Sequence, residues 1–380
     1  MKIAFFSNFL NHHQLPLCLE LAKKSEFCFV ACEKIPQSRL DMGYEDMNNK
    51  YDFVVRAYEN EALAMEIAKT YDVAIIGAAP LKYIETRMEQ NLLTLRFCER
   101  SLKKGVWRRF IPRTREKIHS QYIKYNNSPL YVLGASSYAA YDLVLCGFDK
   151  NKCFKFGYFP EVEPKDLDGL FEVKSANSVC EILYARRVLK LKHVIDTVKA
   201  VHKLKKLNIP VHFTIIGEGE ALPQIKEYIT KHSLEKQIEL IPFMPASEVR
   251  EYMDKADVFV FSSNFYEGWG AVVNEAMNSA CVPIVSHAVG SAKFLIKNGE
   301  NGFVYRFANI KELTNCLERV VCDKDLRKTL GNNAYKTITT DWSAEIACDR
   351  LIEFIEELQR GGNCLNLFED GPLSHADHRG

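Results

Sequence analysis

The chain has 380 residues, 47% of them hydrophobic, with 50 Lys and Arg against 49 Asp and Glu and a formal net charge of +1. That length exceeds a single core of usual size and predicts two domains, while the charge balance excludes a global field that would draw in nucleic acid or another polyanion. Cysteines fall mostly inside apolar runs such as EFCFVAC and DLVLCGF and never as Cys-x-x-Cys, which points to buried free thiols in a reducing cytosol and away from a disulfide framework or a zinc site.

The amino terminus, MKIAFFSNFLNHHQ, has one Lys and a short apolar run broken by Ser7, Asn8, Asn11, His12 and His13, a poor match to a signal peptide. No window approaches the roughly 18 apolar residues of a membrane span, so a soluble or peripheral cytoplasmic protein is expected. From there apolar or β-branched runs alternate with amphipathic stretches: KIAFFSN then LPLCLELAKK, FCFVACE, YDVAIIGA then a helical segment, and LYVLGAS. This alternation predicts a parallel sheet built from crossover units, over residues 1–165. Between Arg96 and Lys124, RFCERSLKKGVWRRFIPRTREKIHSQYIK mixes Arg and Lys with Trp107 and Phe110. Such a pattern suits an ordinary basic surface or contact with anionic lipid head groups.

Around 157–179, GYFPEVEPKDLDGLFEVKSANSV interrupts the rhythm, and residues 166–179 are expected as a linker. Asp166 and Asp168 form an Asp-x-Asp, but they follow FPEVEPK rather than a buried strand, so no metal is implied. The alternation then restarts: CEILYA, a helix near 192–207, VHFTIIG, a helix near 220–232, QIELIP, a short helix, ADVFVFSS, FYEGWGAVVNEAM and CVPIVSH. A second doubly wound domain over 180–342 is the expectation. AEIACDRLIEFIEELQR predicts a helix over 343–360 packing back towards the first domain, and the aperiodic 361–380 is expected as a flexible tail. The fold class is therefore α/β, two Rossmann-like domains facing each other across a cleft, with ligands at the carboxyl ends of the strands.

The segment FYEGWGAVVNEAM places Glu267 in a loop flanked by Gly268, Trp269 and Gly270, and Glu275 about one turn inside the following helix. The glycines allow a ligand close to the backbone, and the helix start offers free N–H groups and a positive dipole end to a phosphate. A carboxylate at Glu275 can accept both hydroxyls of a ribose. TIIGEGE puts Gly217 and Gly219 in a tight turn after a strand, and SHAVGSAKF offers Gly290 and Ser291 to phosphate. A nicotinamide fingerprint needs a third glycine where Leu222 stands, which disfavours an oxidoreductase.

These residues resemble the E-x7-E motif of glycosyltransferase family 4, the group 1 glycosyl transferases, which are retaining enzymes of the GT-B fold. The resemblance runs on through NSACVPIVSHAVGSAKFLIKNGENGFVY, and upstream ILYARRVLKLKHVIDTVKAV is similar to the family's strand, Arg, and Lys five residues later. It implies that Glu275 holds the ribose of a nucleotide sugar, Glu267 meets the transferred sugar, and Arg187 and Lys192 hold the departing diphosphate, whose growing charge fixed cations stabilise. It further implies donor contacts from Gly268, Trp269, Gly270, Gly217, Gly219, Gly290 and Ser291, with no metal and no cofactor beyond a UDP- or GDP-sugar. Four departures stand out: Arg186 replaces a frequent glycine, Ala292 and Lys293 replace a frequent Pro-Glu, SNFLNHHQLP replaces a glycine-rich loop, and VAIIGAAPLKYIETR lacks a histidine. Asn11, His12 and His13 are candidates for acceptor or phosphate contact. The implied activity is transfer to a hydroxyl of a saccharide or lipid-linked saccharide in cell-surface polysaccharide synthesis; a nucleotide-sugar epimerase on the same fold and a non-catalytic nucleotide-sugar-binding protein are the alternatives.

Overall fold

Parallel strands covered by helices on both faces read as unbroken apolar runs, and the run after Lys2 is one, with Ile3, Ala4, Phe5 and Phe6 all buried. The structure, a computed structural model, describes residues 1–40 and 45–376. The chain divides into two units: Met1–Glu161 with the chain from Trp342 onward, and Val162–Asp341.

The first unit is built on β1 (Lys2–Ser7), β2 (Glu26–Ala31), β3 (Val54–Arg56), β4 (Val73–Ile76), β5 (Thr94–Cys98), β6 (Leu130–Gly134) and β7 (Cys153–Lys155). They form one parallel sheet in the order β3-β2-β1-β4-β5-β6-β7, with Phe5 paired to Phe29 on one side and Ile75 on the other. The strand order reverses between β1 and β4. Strands β3, β5 and β7 were not expected from the sequence, because two are three-residue edge or near-edge pieces and β5 carries Arg96 in its middle. Arg96 is buried and donates to the carbonyls of Ile76 (2.7 Å) and Gly77. Burying a guanidinium is tolerable only with such bonds.

This corrects the expected basic face over 96–124. Arg96 lies in the sheet, Arg100 is held against the buried Asp142 (Nε to Oδ2, 3.1 Å), and Asp142 also accepts the Leu102 N–H at 2.7 Å. The exposed part is narrower: a 3-10 turn, Val106–Phe110, and the helix Pro112–Gln121, with Trp107 58% and Phe110 73% exposed.

The helix Ala344–Gln359 runs along the helix Leu15–Lys24, where Lys24 pairs with Asp349. Residues 361–376 are not a loose tail. Leu373 and Ala376 are buried, and the strand edge at β7 is closed by Leu373 N–H to Lys155 O (2.8 Å), Lys155 N–H to Ser374 O (2.9 Å) and Ala376 N–H to Cys153 O (3.0 Å). The edge of a sheet presents unpaired backbone groups, and this antiparallel bridge satisfies them. Residues 377–380 lie outside the described residues.

The second unit has β8 (Cys180–Ala185), β9 (Val211–Ile216), β10 (Ile238–Ile241), β11 (Val258–Phe261), β12 (Val282–Ser286) and β13 (Phe303–Tyr305), parallel in the order β10-β9-β8-β11-β12-β13. The expected linker 166–179 carries a helix, Leu167–Ser175, that belongs to this unit: Leu170 and Phe171 pack on Ala280, and the buried Lys174 ammonium donates to the carbonyls of Met253 and Ala256. Asp166 and Asp168 sit at that helix's start, where the dipole favours negative charge. None of the cysteines is bonded to another. Among the described residues no helix is long and apolar enough to cross a membrane.

Removing residues 361–380 should lower the thermal midpoint, and Leu373→Ala alone should cost about 2–4 kcal/mol as a buried large-to-small change. An unchanged midpoint in denaturation by heat would return these residues to the status of a loose tail.

Candidate active site in the second unit

In a doubly wound sheet the crevice opens at the carboxyl ends of the strands where their order reverses, here between β8 and β11. The loop leaving β8 is fixed residue by residue. Arg186 N–H donates to Ile216 O (3.1 Å) and Val188 N–H to Glu218 O (2.7 Å), so the turn after β9 is laced to it. That approach requires glycine at position 217: its φ is +134°, and an added Cβ would overlap the Arg186 carbonyl. Gly219 belongs to the same turn. The buried Tyr184 hydroxyl donates to Arg187 O at 3.0 Å, and burial, reinforced by Glu267, pushes its pKa up.

The loop leaving β11 is fastened to the same segment. Ser262 Oγ donates to Lys192 O (2.8 Å), Asn264 N–H to Leu191 O (3.0 Å), and Ser263 Oγ lies 3.1 Å from Glu267 Oε2 and 3.2 Å from Leu191 O. Two ion pairs result. The Lys192 ammonium bonds Glu267 Oε2, both side chains being mostly buried, and sits 5.0 Å from the centre of the Phe261 ring. Arg186 Nη2 lies 3.5 Å from Glu275 Oε2.

Glu275 stands in the helix Val272–Asn278, whose geometry Arg250 supports by donating to the Glu275 carbonyl at 3.4 Å. Gly270 has φ +87°, and a Cβ there would come within 2.9 Å of Phe261 Cε1 and 3.0 Å of Val289 Cγ1. Trp269, expected as a donor contact, is instead a packing residue: its ring is buried and its indole N–H donates to Asn274 Oδ1 at 2.9 Å. Its carbonyl accepts the Ser291 N–H at 3.1 Å, which draws the loop after β12 alongside, with Gly290 buried beside it. Ser291 Oγ is buried and has no hydrogen-bond partner among the described residues. His287, at the end of β12, accepts the Phe307 N–H on Nδ1 (2.9 Å); burial, then Lys293 and Arg306, lower its pKa.

The structure thus brings Glu267, Lys192, Gly270 and Ser291, on loops, and Glu275, in the helix Val272–Asn278, to one end of one sheet. Arg187 follows Arg186 with its side chain exposed and outside both ion pairs. Asn11, His12 and His13 are half-buried in the first unit, on the turn between β1 and the helix Leu15–Lys24. Asn11 shapes that turn: its side chain accepts the His13 N–H (3.1 Å) and donates to Gln14 Oε1 (2.7 Å), and its carbonyl accepts from Leu15 N–H. Sequence reasoning missed Ser263 and the pairing of Arg186 with Glu275. A hydroxyl at a strand's carboxyl end was the available signal for the first; the second depends on a contact between loops remote in sequence.

Residues 171–337 match the family described as Glycosyl transferases group 1. This segment belongs to it. The group 1 segment contains Arg186, Arg187, Lys192, Glu267, Glu275 and Ser291. The alpha-D-kanosaminyltransferase of Streptomyces kanamyceticus is 27% identical over 177 residues, which is 47% of this chain and 45% of that protein. The capsular polysaccharide biosynthesis glycosyltransferase CapM of Staphylococcus aureus is 25% identical over 213 residues, 55% of this chain and 54% of that one. The chain therefore spans about half the length of the curated relatives it matches. The crystal structure of Anabaena Alr3699/HepE in complex with UDP has a TM-score of 0.67 at 16% identity, covering 95% of this chain and 100% of its own. At that identity the likeness is one of fold, and the fold is GT-B.

Replacing Ser291 with Ala should leave the thermal midpoint unchanged or raise it, because the hydroxyl it removes is buried without a partner. A midpoint lowered by several degrees in calorimetry would reveal a structural hydrogen bond there.

Proposed function

We propose that the protein is a retaining glycosyltransferase that moves a sugar from a UDP- or GDP-sugar to a hydroxyl of a saccharide or lipid-linked saccharide, in the synthesis of a cell-surface polysaccharide. The observation that carries this reading is the pair of carboxylates, Glu267 and Glu275, each held by a cation from the loop after β8, at the switch point of a group 1 sheet. The capsular polysaccharide role in the name of CapM and the UDP bound to HepE support the pathway and the uridine form of the donor.

In this reading Glu275 accepts the ribose hydroxyls and Glu267 orients the transferred sugar. Lys192 and the exposed Arg187 meet the diphosphate, with Ser291 Oγ and the backbone at Gly290 adding donors. As the bond from the sugar to the diphosphate oxygen breaks, the acceptor oxygen attacks on the same face and its proton passes to the leaving diphosphate. Charge developing on that diphosphate is stabilised by cations already in place, which lowers the barrier. The reading requires neither a protein nucleophile nor a metal. Asn11, His12 and His13, at the switch point of the first unit's sheet, are assigned to acceptor or phosphate contact.

A lipid-linked acceptor calls for a membrane surface. Lys103, Lys104, Arg108, Arg109, Arg113 and Arg115 share a stretch with no acid, and Trp107 and Phe110 project from it with Arg108 and Arg109 over their rings. Exposed aromatic anchors amid cations suit the head-group region of an anionic bilayer.

Two outcomes are expected. A saturating nucleoside diphosphate of the right base, at about a hundred times its dissociation constant, should stabilise the fold by about 2.7 kcal/mol. Glu275→Ala should abolish that shift, whereas Glu267→Ala should keep most of it and lose turnover. Equal loss of binding in both variants would overturn this division of roles, and a panel in which neither UDP nor GDP shifts the midpoint would overturn the donor reading. Separately, the wild type should sediment with vesicles containing phosphatidylglycerol and not with phosphatidylcholine alone, and Trp107→Ala with Phe110→Ala should release it.

A further inference from the structure

Arg186 is the first residue beyond β8, and its backbone has little freedom: its N–H is bonded to Ile216 O and its carbonyl is closed over by Gly217. Its side chain therefore leaves the sheet in a set direction, and that direction ends at Glu275, with Nη2 3.5 Å from Oε2. Arg186 is 32% exposed and Glu275 15%, so the pair lies at the lip of the crevice rather than in open solvent. A guanidinium has five donors and a carboxylate about four acceptor positions. One contact at Oε2 uses few of them. The other acceptor positions of the carboxylate lie outside this ion pair, and the pair restricts the carboxylate's rotation.

We propose that Arg186 is a positioning residue, which orients the Glu275 carboxylate to receive the vicinal ribose hydroxyls of the nucleoside diphosphate. This rests on the donor reading above and goes beyond it, because it separates the two neighbouring arginines: Arg187 meets the diphosphate, and Arg186 acts on the ribose through Glu275.

The test compares the nucleotide that stabilises the wild type, UDP or GDP, with its 2′,3′-dideoxy analogue, by titration calorimetry on the full chain. Wild type should prefer the ribonucleotide. Arg186→Met, which keeps the apolar stem, should weaken the ribonucleotide about tenfold and the dideoxy analogue less than twofold. Glu275→Gln should show the same pattern, and Arg186→Lys should recover part of the lost preference. Equal weakening of both ligands in Arg186→Met would overturn the proposal and assign Arg186 to the phosphates or to the fold, and so would an unchanged preference. If the wild type binds the ribonucleotide but shows no preference over the dideoxy analogue, the inference fails while donor binding stands; if it binds neither UDP nor GDP, both fail.

Discussion

The two carboxylate–cation pairs at the end of the second sheet are the constraint on which the site depends. A mostly buried charge is costly unless it is paired, so Lys192 with Glu267 and Arg186 with Glu275 oblige the loops after β8 and β11 to form as one piece. The hydroxyls of Ser262 and Ser263 complete that coupling by fixing the Leu191 and Lys192 carbonyls. The pairs also solve an electrostatic problem. Two bare carboxylates would repel the phosphates of the proposed donor, and their cations cancel that field until a ligand arrives.

The first unit relies on buried arginines in a different way. Arg87 is fully buried and donates to Thr94 Oγ1 and to the carbonyls of Ala68, Tyr71, Asp72 and Leu93, tying two helix ends to the start of β5. Burial lowers its pKa to about 10, and these five acceptors offset the cost of desolvation. Arg96 does the same for the carbonyls at the end of β4, and Asp142 organises the turn at Leu102. Polar groups thus shape the loops where strands end, while apolar side chains fill the layers between. The proposed chemistry needs that division, because a site at strand ends is only as well placed as the loops that carry it.

Much of the architecture was legible because parallel strands and amphipathic helices leave different periods in the chain. KIAFFSN, YDVAIIGA, CEILYA, VHFTIIG and CVPIVSH each became strands. Val54–Arg56, Thr94–Cys98 and Cys153–Lys155 were not legible, because short strands leave no period and a charged residue in a strand reads as surface unless its partners are known. The stretch at 166–179 was misread for a related reason: a helix of only nine residues, with a glycine and three charges among its apolar positions, looks like a linker until Leu170 and Phe171 are seen against Ala280. Residues 361–376 were misread because their order comes from the edge of β7, far away in sequence, and from no pattern of their own.

By itself the sequence determined the alternation of strands and helices, the presence of two Rossmann-like units, the positions of Glu267, Arg187, Lys192 and Ser291 on the segments that follow strands, and that of Glu275 in the helix beyond Gly270. These follow from local spacing, which sets period, turn chemistry and the order of elements along the chain. Only the tertiary structure decided which cation meets which carboxylate, that Trp269 packs inward, that the Ser291 hydroxyl finds no hydrogen-bond partner among the described residues, and that Arg186 rather than Arg187 reaches Glu275. Those outcomes depend on where separate loops meet in space, and a one-residue difference in the direction of a side chain leaving a strand is set by the hydrogen bonds of its neighbours, which no linear spacing records.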